Sequence, residues 1–232
     1  MMPLIDVTYD IRQDSFGKDP DLVSKTLRNY HRLLWSKDLP NGKRLDLDEN
    51  LRNQSDAGEF IFASDSIVHT FSLWKRYQWL IKQIPPAEIE EFREIAYTVG
   101  ATTIFPGNKA KGTMTINGAR GLNRKICDRI DLTLECIKRF YQNEESPLSN
   151  CFSQYADFFE LFCDFRGYVN FFFFQDLVNT DTLEIKFLHP FQDFNQNPLP
   201  ATIEEYLNYK NNSVSFVQNR NRRMDQWARE NT

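Results

Sequence analysis

The chain has few of the residues that usually carry catalytic or metal chemistry. Only three histidines and four cysteines occur in 232 residues. His31, His69 and His189 stand far apart, and Cys127, Cys136, Cys151 and Cys163 form no CxxC pair, so no metal site is expected. The thiols sit in helical or Phe-rich surroundings and are expected to be buried and free. GxxxxGK[ST], GxGxxG and GxSxG are all missing, which excludes a P-loop, a dinucleotide fingerprint and a nucleophile elbow. No apolar run approaches the roughly 20 residues that span a bilayer. The most apolar, residues 168–177, is interrupted by Asn170, Gln175 and Asp176, so no membrane contact is expected. The opening MMPLIDVTYDIRQDS has no basic segment followed by an apolar one, so no secretory signal is read and a cytoplasmic location is expected. An excess of positive charge is missing too. Lys and Arg number 28 against 32 Asp and Glu, a net charge of -4, which argues against a protein that binds polyanions with its whole surface. Any nucleic-acid contact is expected to be a local patch.

What is present is apolar material: 41% hydrophobic and 14% aromatic, enough for a substantial core in one globular domain over residues 1–232. Nine phenylalanines and two tyrosines fall between Phe152 and Phe174, and this density marks the centre of that core. Arg166-Gly167 is expected to divide the stretch into two helices.

Periodicity predicts helices after Asp19-Pro20 to about Trp35, over 67–84 after a Ser64-Asp65-Ser66 cap, over 86–99, over 118–142 and from Thr202 towards Trp227. Strands are expected near residues 5–11, 44–48, 59–63, in a hairpin over 101–116, and near 182–191. The sum is α+β: a mostly helical single domain with a small sheet of short strands and a Phe-rich helical core. An all-α bundle is the alternative. On the 118–142 helix, Arg124, Asp128, Asp131 and Glu135 are expected to share a solvated face.

The segment GATTIFPGNKAKGTMTINGARGLNRKICDR concentrates polar and cationic side chains at a helix start. Asn117 is placed to cap that helix, and its free amides and dipole favour an anion. Asn117, Arg120, Asn123 and Arg124 are therefore the expected contacts of a phosphate-bearing ligand, with Lys109 and Lys111 folding over from the hairpin. The bland reading makes Asn117 only a cap and pairs the arginines with carboxylates such as Asp128. Ser64, Asp65 and His69 cluster at the start of the preceding helix, where capping explains them more simply than catalysis, and His189, before Pro190, is a further acid–base candidate. Arg220, Arg222, Arg223 and Arg229 are expected to form a solvated basic end of the last helix.

With LWSKDLPNG, FASDSIVHT, TIFPGNK, TINGARGLNRKICDRIDLTLECIKRFY and DFFELFCDFRGYVNFFFFQDLV in view, the chain resembles a bacterial family catalogued as a domain of unknown function. The resemblance covers most of residues 30 to 180. It implies a small soluble bacterial or phage-borne protein and transfers no activity, cofactor or catalytic residue. Three functions stay open: a protein binding a nucleotide or nucleic-acid backbone at the Asn117–Arg124 segment, a nucleotide-using transferase or toxin-type enzyme, and a non-enzymatic interaction or inhibitor protein with an exposed aromatic surface. Neither a cofactor nor an oligomeric state is indicated.

Overall fold

The computed structural model describes residues 5–107 and 113–231. Asp19 starts the first helix, α1 (Pro20–Val23), its side chain accepting from Asp21 N at 3.1 Å, with Pro20 in the first turn where its missing N–H costs nothing. Ser24, at φ -64 and ψ 115, stops that turn and caps α2 (Lys25–Trp35) through Leu27 N. The expected single helix is therefore two, and the bend sets Asp21 against the sheet. Strand β1 (Phe62–Ser66) follows a looped region tied by isolated bridges at Asp38–Arg44, Leu47–Asn53 and Arg52–Ile61. Then come α3 (Gln78–Ile81), α4 (Pro86–Ala96), β2 (Thr102–Pro106), α5 (Ile116–Leu122) and α6 (Ile130–Tyr141). The Phe-rich stretch forms α7 (Ser149–Phe152), α8 (Ala156–Glu160) and α9 (Phe165–Phe171), and α10 (Ile203–Glu230) is the long last helix.

The fold is α+β and mostly helical, with a two-stranded antiparallel sheet in which Phe62 faces Pro106 and Ser66 faces Thr102. β2 thus pairs with β1 and not with residues 113–115, which form no strand. Asp10 caps a 3-10 turn at Ile11–Asp14, so the alternation of residues 5–11 marks anchors such as Ile5 and Ile11 rather than a strand. The late strand reduces to one bridge, Val178–Ile185.

Two expected helices are broken by positive φ. Phe71, at φ 55, seats its ring among Trp74, Tyr77 and Tyr209, and residues 67–74 stay irregular before a short turn and α3. Cys127 and Asp128, at φ 50 and 59, separate α5 from α6. Gly167 lies inside α9 and divides nothing; a Cβ there would stand 2.1 Å from Phe162 O, so the position requires the absence of a side chain.

One buried apolar cluster runs from Ile5 to Ala228. Phe158 is at its centre, with Phe62, Phe159, Phe162, Tyr168 and Phe172 within 6.4 Å between ring centroids. All nine phenylalanines between Phe152 and Phe174 are buried, which removes the exposed aromatic surface expected of an interaction protein. α10 packs along α4, α2 and the Val99–Ala101 turn. Lys210 bridges Glu88 and Glu91, while Asn221 accepts from Gly100 N at 2.8 Å and donates to Thr98 Oγ1 at 2.9 Å.

Arg220 is fully buried rather than part of a solvated helix end. It donates to the carbonyls of Phe172, Gly100 and Thr102 at 2.6 to 3.1 Å, and burial pulls its guanidinium down to about 9. Arg222 is exposed, and Arg223 and Arg229 pair with Asp176 and Asp225. Three cysteines are buried, and Cys163 is exposed, contrary to expectation.

Candidate functional site

Alternation along β1 sends Ser64 and Ser66 to one face and Asp65 to the other. On the first face Ser64 Oγ donates to Asp21 Oδ1 at 2.6 Å and Ser66 Oγ to Asp21 Oδ2 at 2.7 Å. His31 Nε2 lies 2.9 Å from Ser64 Oγ, and Trp35 Nε1 donates to His31 Nδ1 at 3.0 Å. An indole nitrogen can only donate, so a neutral His31 carries its proton on Nε2 and gives it to Ser64. The Ser64 proton in turn serves Asp21. His31 is therefore not a base for Ser64, and burial, with Arg220 adding to it, holds the imidazole down to about 3. Burial raises the Asp21 carboxyl above its ordinary value despite the two serine hydrogen bonds.

On the second face Asp65 pairs with Arg120, which is fully buried. Arg120 also donates to Thr133 Oγ1 at 3.0 Å and Asp128 O at 2.8 Å, and its guanidinium lies 5.3 Å from the Phe105 ring centroid. Asn117 donates to Ser64 O at 3.0 Å. It is not the cap of α5: that residue is Thr115, whose side chain accepts from Gly118 N at 3.1 Å. The expected anion contacts are thus divided. Asn117 and Arg120 knit α5 to β1 beside Ser64 and Asp65, while Asn123 caps the far end, donating to Pro147 O and accepting from Lys125 N. Arg124 is exposed beyond it, so the two guanidinium groups do not converge. Lys109 and Lys111 lie outside the described residues.

The expected solvated face of residues 124–135 is also absent as such. Asp131 is fully buried, and it pairs with the equally buried Arg129 and accepts from Leu188 N. Glu135 is nearly buried and pairs with Arg139. Arg129 donates to Pro198 O and His189 O, which anchors the loop of residues 187–199. His189 belongs to that anchor and not to the Ser64–Asp65 group; burial and Arg129 lower its imidazole.

His69 is half-buried, its Nε2 donating to Ser66 O at 3.0 Å, and with Ser66, Thr70, Ser72 and Trp74 it lines a cavity of about 120 Å³. Trp74 also borders a wide, shallow and open cleft of about 550 Å³, whose other lining residues are Lys75, Arg76, Gly121, Leu122 and Arg124. Lys75, Arg76 and Arg124 are exposed and have no carboxylate partner among the described residues. The Arg76 guanidinium lies 4.5 Å from the Trp74 ring centroid and donates to Cys127 Sγ. The Trp74-Lys75-Arg76 run was the available sequence signal for this cleft, but periodicity reads residues 67–84 as one helix with Trp74 on its apolar side.

This polar sheet edge beside a basic cleft belongs to a mostly helical α+β protein without a metal cluster among the described residues. The chain belongs to the family of unknown function DUF6994, whose profile matches residues 5–224. No curated protein and no solved structure matches it. Among the described residues no helix is long and apolar enough to cross a membrane.

Proposed function

We propose that the protein binds a phosphate-bearing ligand, a nucleotide or a nucleic-acid backbone, in the cleft between Trp74 and Arg124. The observation that carries this reading is the gathering of Lys75, Arg76 and Arg124, unpaired with carboxylates among the described residues, beside an aromatic ring in a chain of net charge -4. Cations left without acidic neighbours are available to phosphate oxygens, and the half-buried Trp74 ring, with Arg76 over it, places aromatic surface beside them for a base to contact. Arg124 keeps the role the sequence suggested for it. Asn117, Arg120 and Asn123 act behind it, holding α5 in place from β1 to Pro147. Such a ligand fits a cytoplasmic protein.

Anisotropy of labelled nucleotides and short single-stranded oligonucleotides at low salt tests this reading. Binding should weaken as salt rises and should be much weaker in a Lys75→Ala, Arg76→Ala, Arg124→Ala variant. Affinity unchanged by the three substitutions would remove the cleft from the function.

A second reading, a nucleotide-using transferase, is favoured by one observation: the cavity holding Ser66 and His69 shares Trp74 with the basic cleft. Release of product from a labelled nucleotide, abolished by Ser66→Ala or His69→Ala with binding retained, would establish it.

A further inference from the structure

Lys37 follows α2 and turns its amine into a box of rings. Nζ lies 3.9 Å from the Phe173 ring centroid, 4.5 Å from Phe171, 5.0 Å from Trp35 and 5.1 Å from Trp227. Among the described residues its hydrogen-bond acceptor is Phe171 O at 2.7 Å, and no carboxylate pairs with it. The neighbouring Asp38 is engaged with Arg44 at 2.9 Å. The second buried cation of this region, Arg220, lies 5.9 Å from the centroid of the same Trp35 ring. Burial, with Arg220 beside it, pulls the Lys37 amine well below the ordinary lysine range.

Lys37 is half-buried and lines a cavity of about 360 Å³ with Ser36, Asp38, Arg44, Trp227 and Asn231. A lysine desolvated among apolar walls and next to another cation is the arrangement that makes an amine nucleophilic near neutral pH. The neutral amine keeps a donor for Phe171 O and has a lone pair to offer.

We propose that Lys37 is a nucleophilic amine that condenses with a small aldehyde entering this cavity. The Nζ lone pair forms a bond to the carbonyl carbon, and the two N–H protons leave with the carbonyl oxygen as water, giving an imine. No oxidant or reductant takes part. The site is separate from the Trp74–Arg124 cleft and does not depend on it.

Incubation of the full chain with benzaldehyde or glyoxylate and sodium cyanoborohydride at pH 7, followed by peptide mapping, tests the proposal. The two probes separate a neutral from a carboxylate-bearing aldehyde. A depressed amine should label at least about tenfold faster than the exposed Lys75 or Lys125, since each pKa unit is a factor of ten in free base. Lys37→Arg, which keeps the charge, should remove the fast adduct and leave the slow ones. Labelling of Lys37 no faster than of the surface lysines, or none at all, would make it a structural cation and overturn the proposal. The unsubstituted chain decides this even if the variant fails to fold.

Discussion

His31 and Ser64 are joined across 2.9 Å by a hydrogen bond whose direction is set from behind, because the Trp35 indole occupies the other imidazole nitrogen. The folded protein therefore needs His31 neutral. Its imidazole titrates at about 3 when folded against an ordinary 6.5, so on acidification the unfolded chain takes up a proton that the folded one refuses. Stability falls as pH drops below about 6.5, at about 1.4 kcal/mol per unit for one such group. Asp21, raised by burial, works in the opposite sense just above the ordinary carboxylate value of 3.8. The decline should be clearest between about pH 6.5 and 5. Urea midpoints at a series of pH values check this. His31→Gln, which offers both an amide donor and a carbonyl acceptor, should flatten the slope; an unchanged slope would assign it to another group.

Arg120 and Arg124, one helical turn apart in sequence, should behave oppositely. Arg120→Ala leaves Asp65 beside β1 without its partner and should cost about 3–5 kcal/mol in urea unfolding. Arg124→Ala, on an exposed side chain, should stay within about 0.5 kcal/mol and show its effect only in ligand binding. Equal stability losses would mean that the buried pair contributes little.

Salt dependence should count the cations of the cleft. Removing Lys75, Arg76 and Arg124 together should lower the slope of log K against log salt by about 2 for a single strand, at about 0.7 per phosphate contact. Trp74→Leu, with the cations kept, should weaken an oligonucleotide by about 1–3 kcal/mol if a base stacks there and should leave inorganic phosphate unaffected.

Two glycines make a control pair for close approach. Gly167→Ala places a methyl 2.1 Å from the Phe162 carbonyl and should cost more than about 3 kcal/mol, because a backbone atom cannot step aside. Gly17→Ala meets nothing within 4 Å and pays only for its φ of 75, about 1–2 kcal/mol. Thermal melts of the two variants provide the comparison.

The helical class and the Phe-rich core were readable because Phe158, Phe162 and Phe172 are where local apolar density is highest, and burial follows that density. The caps at Asp19 and Thr202 were readable because capping is local chemistry. Failures came where a distant partner overrode the local pattern. Arg120 reads as a helix-surface cation until Asp65, 55 residues earlier, draws it into the core. Asp131 reads as a surface carboxylate until Arg129 and the Leu188 amide enclose it. Asp21 reads as a second capping acid, and only the bend at Ser24 brings it onto Ser64 and Ser66. The basic cleft was hidden for the same reason, since Trp74 and Arg124 are neighbours only once Phe71 and Cys127 have left helical geometry.

The three carbonyls that Arg220 gathers, from Phe172, Gly100 and Thr102, belong to segments made well before the helix that supplies the guanidinium. A nascent chain halted ahead of Ile203 would leave those oxygens and the Trp35 and Phe174 rings around them without their cation, so folding completes only as the final helix emerges from the ribosome.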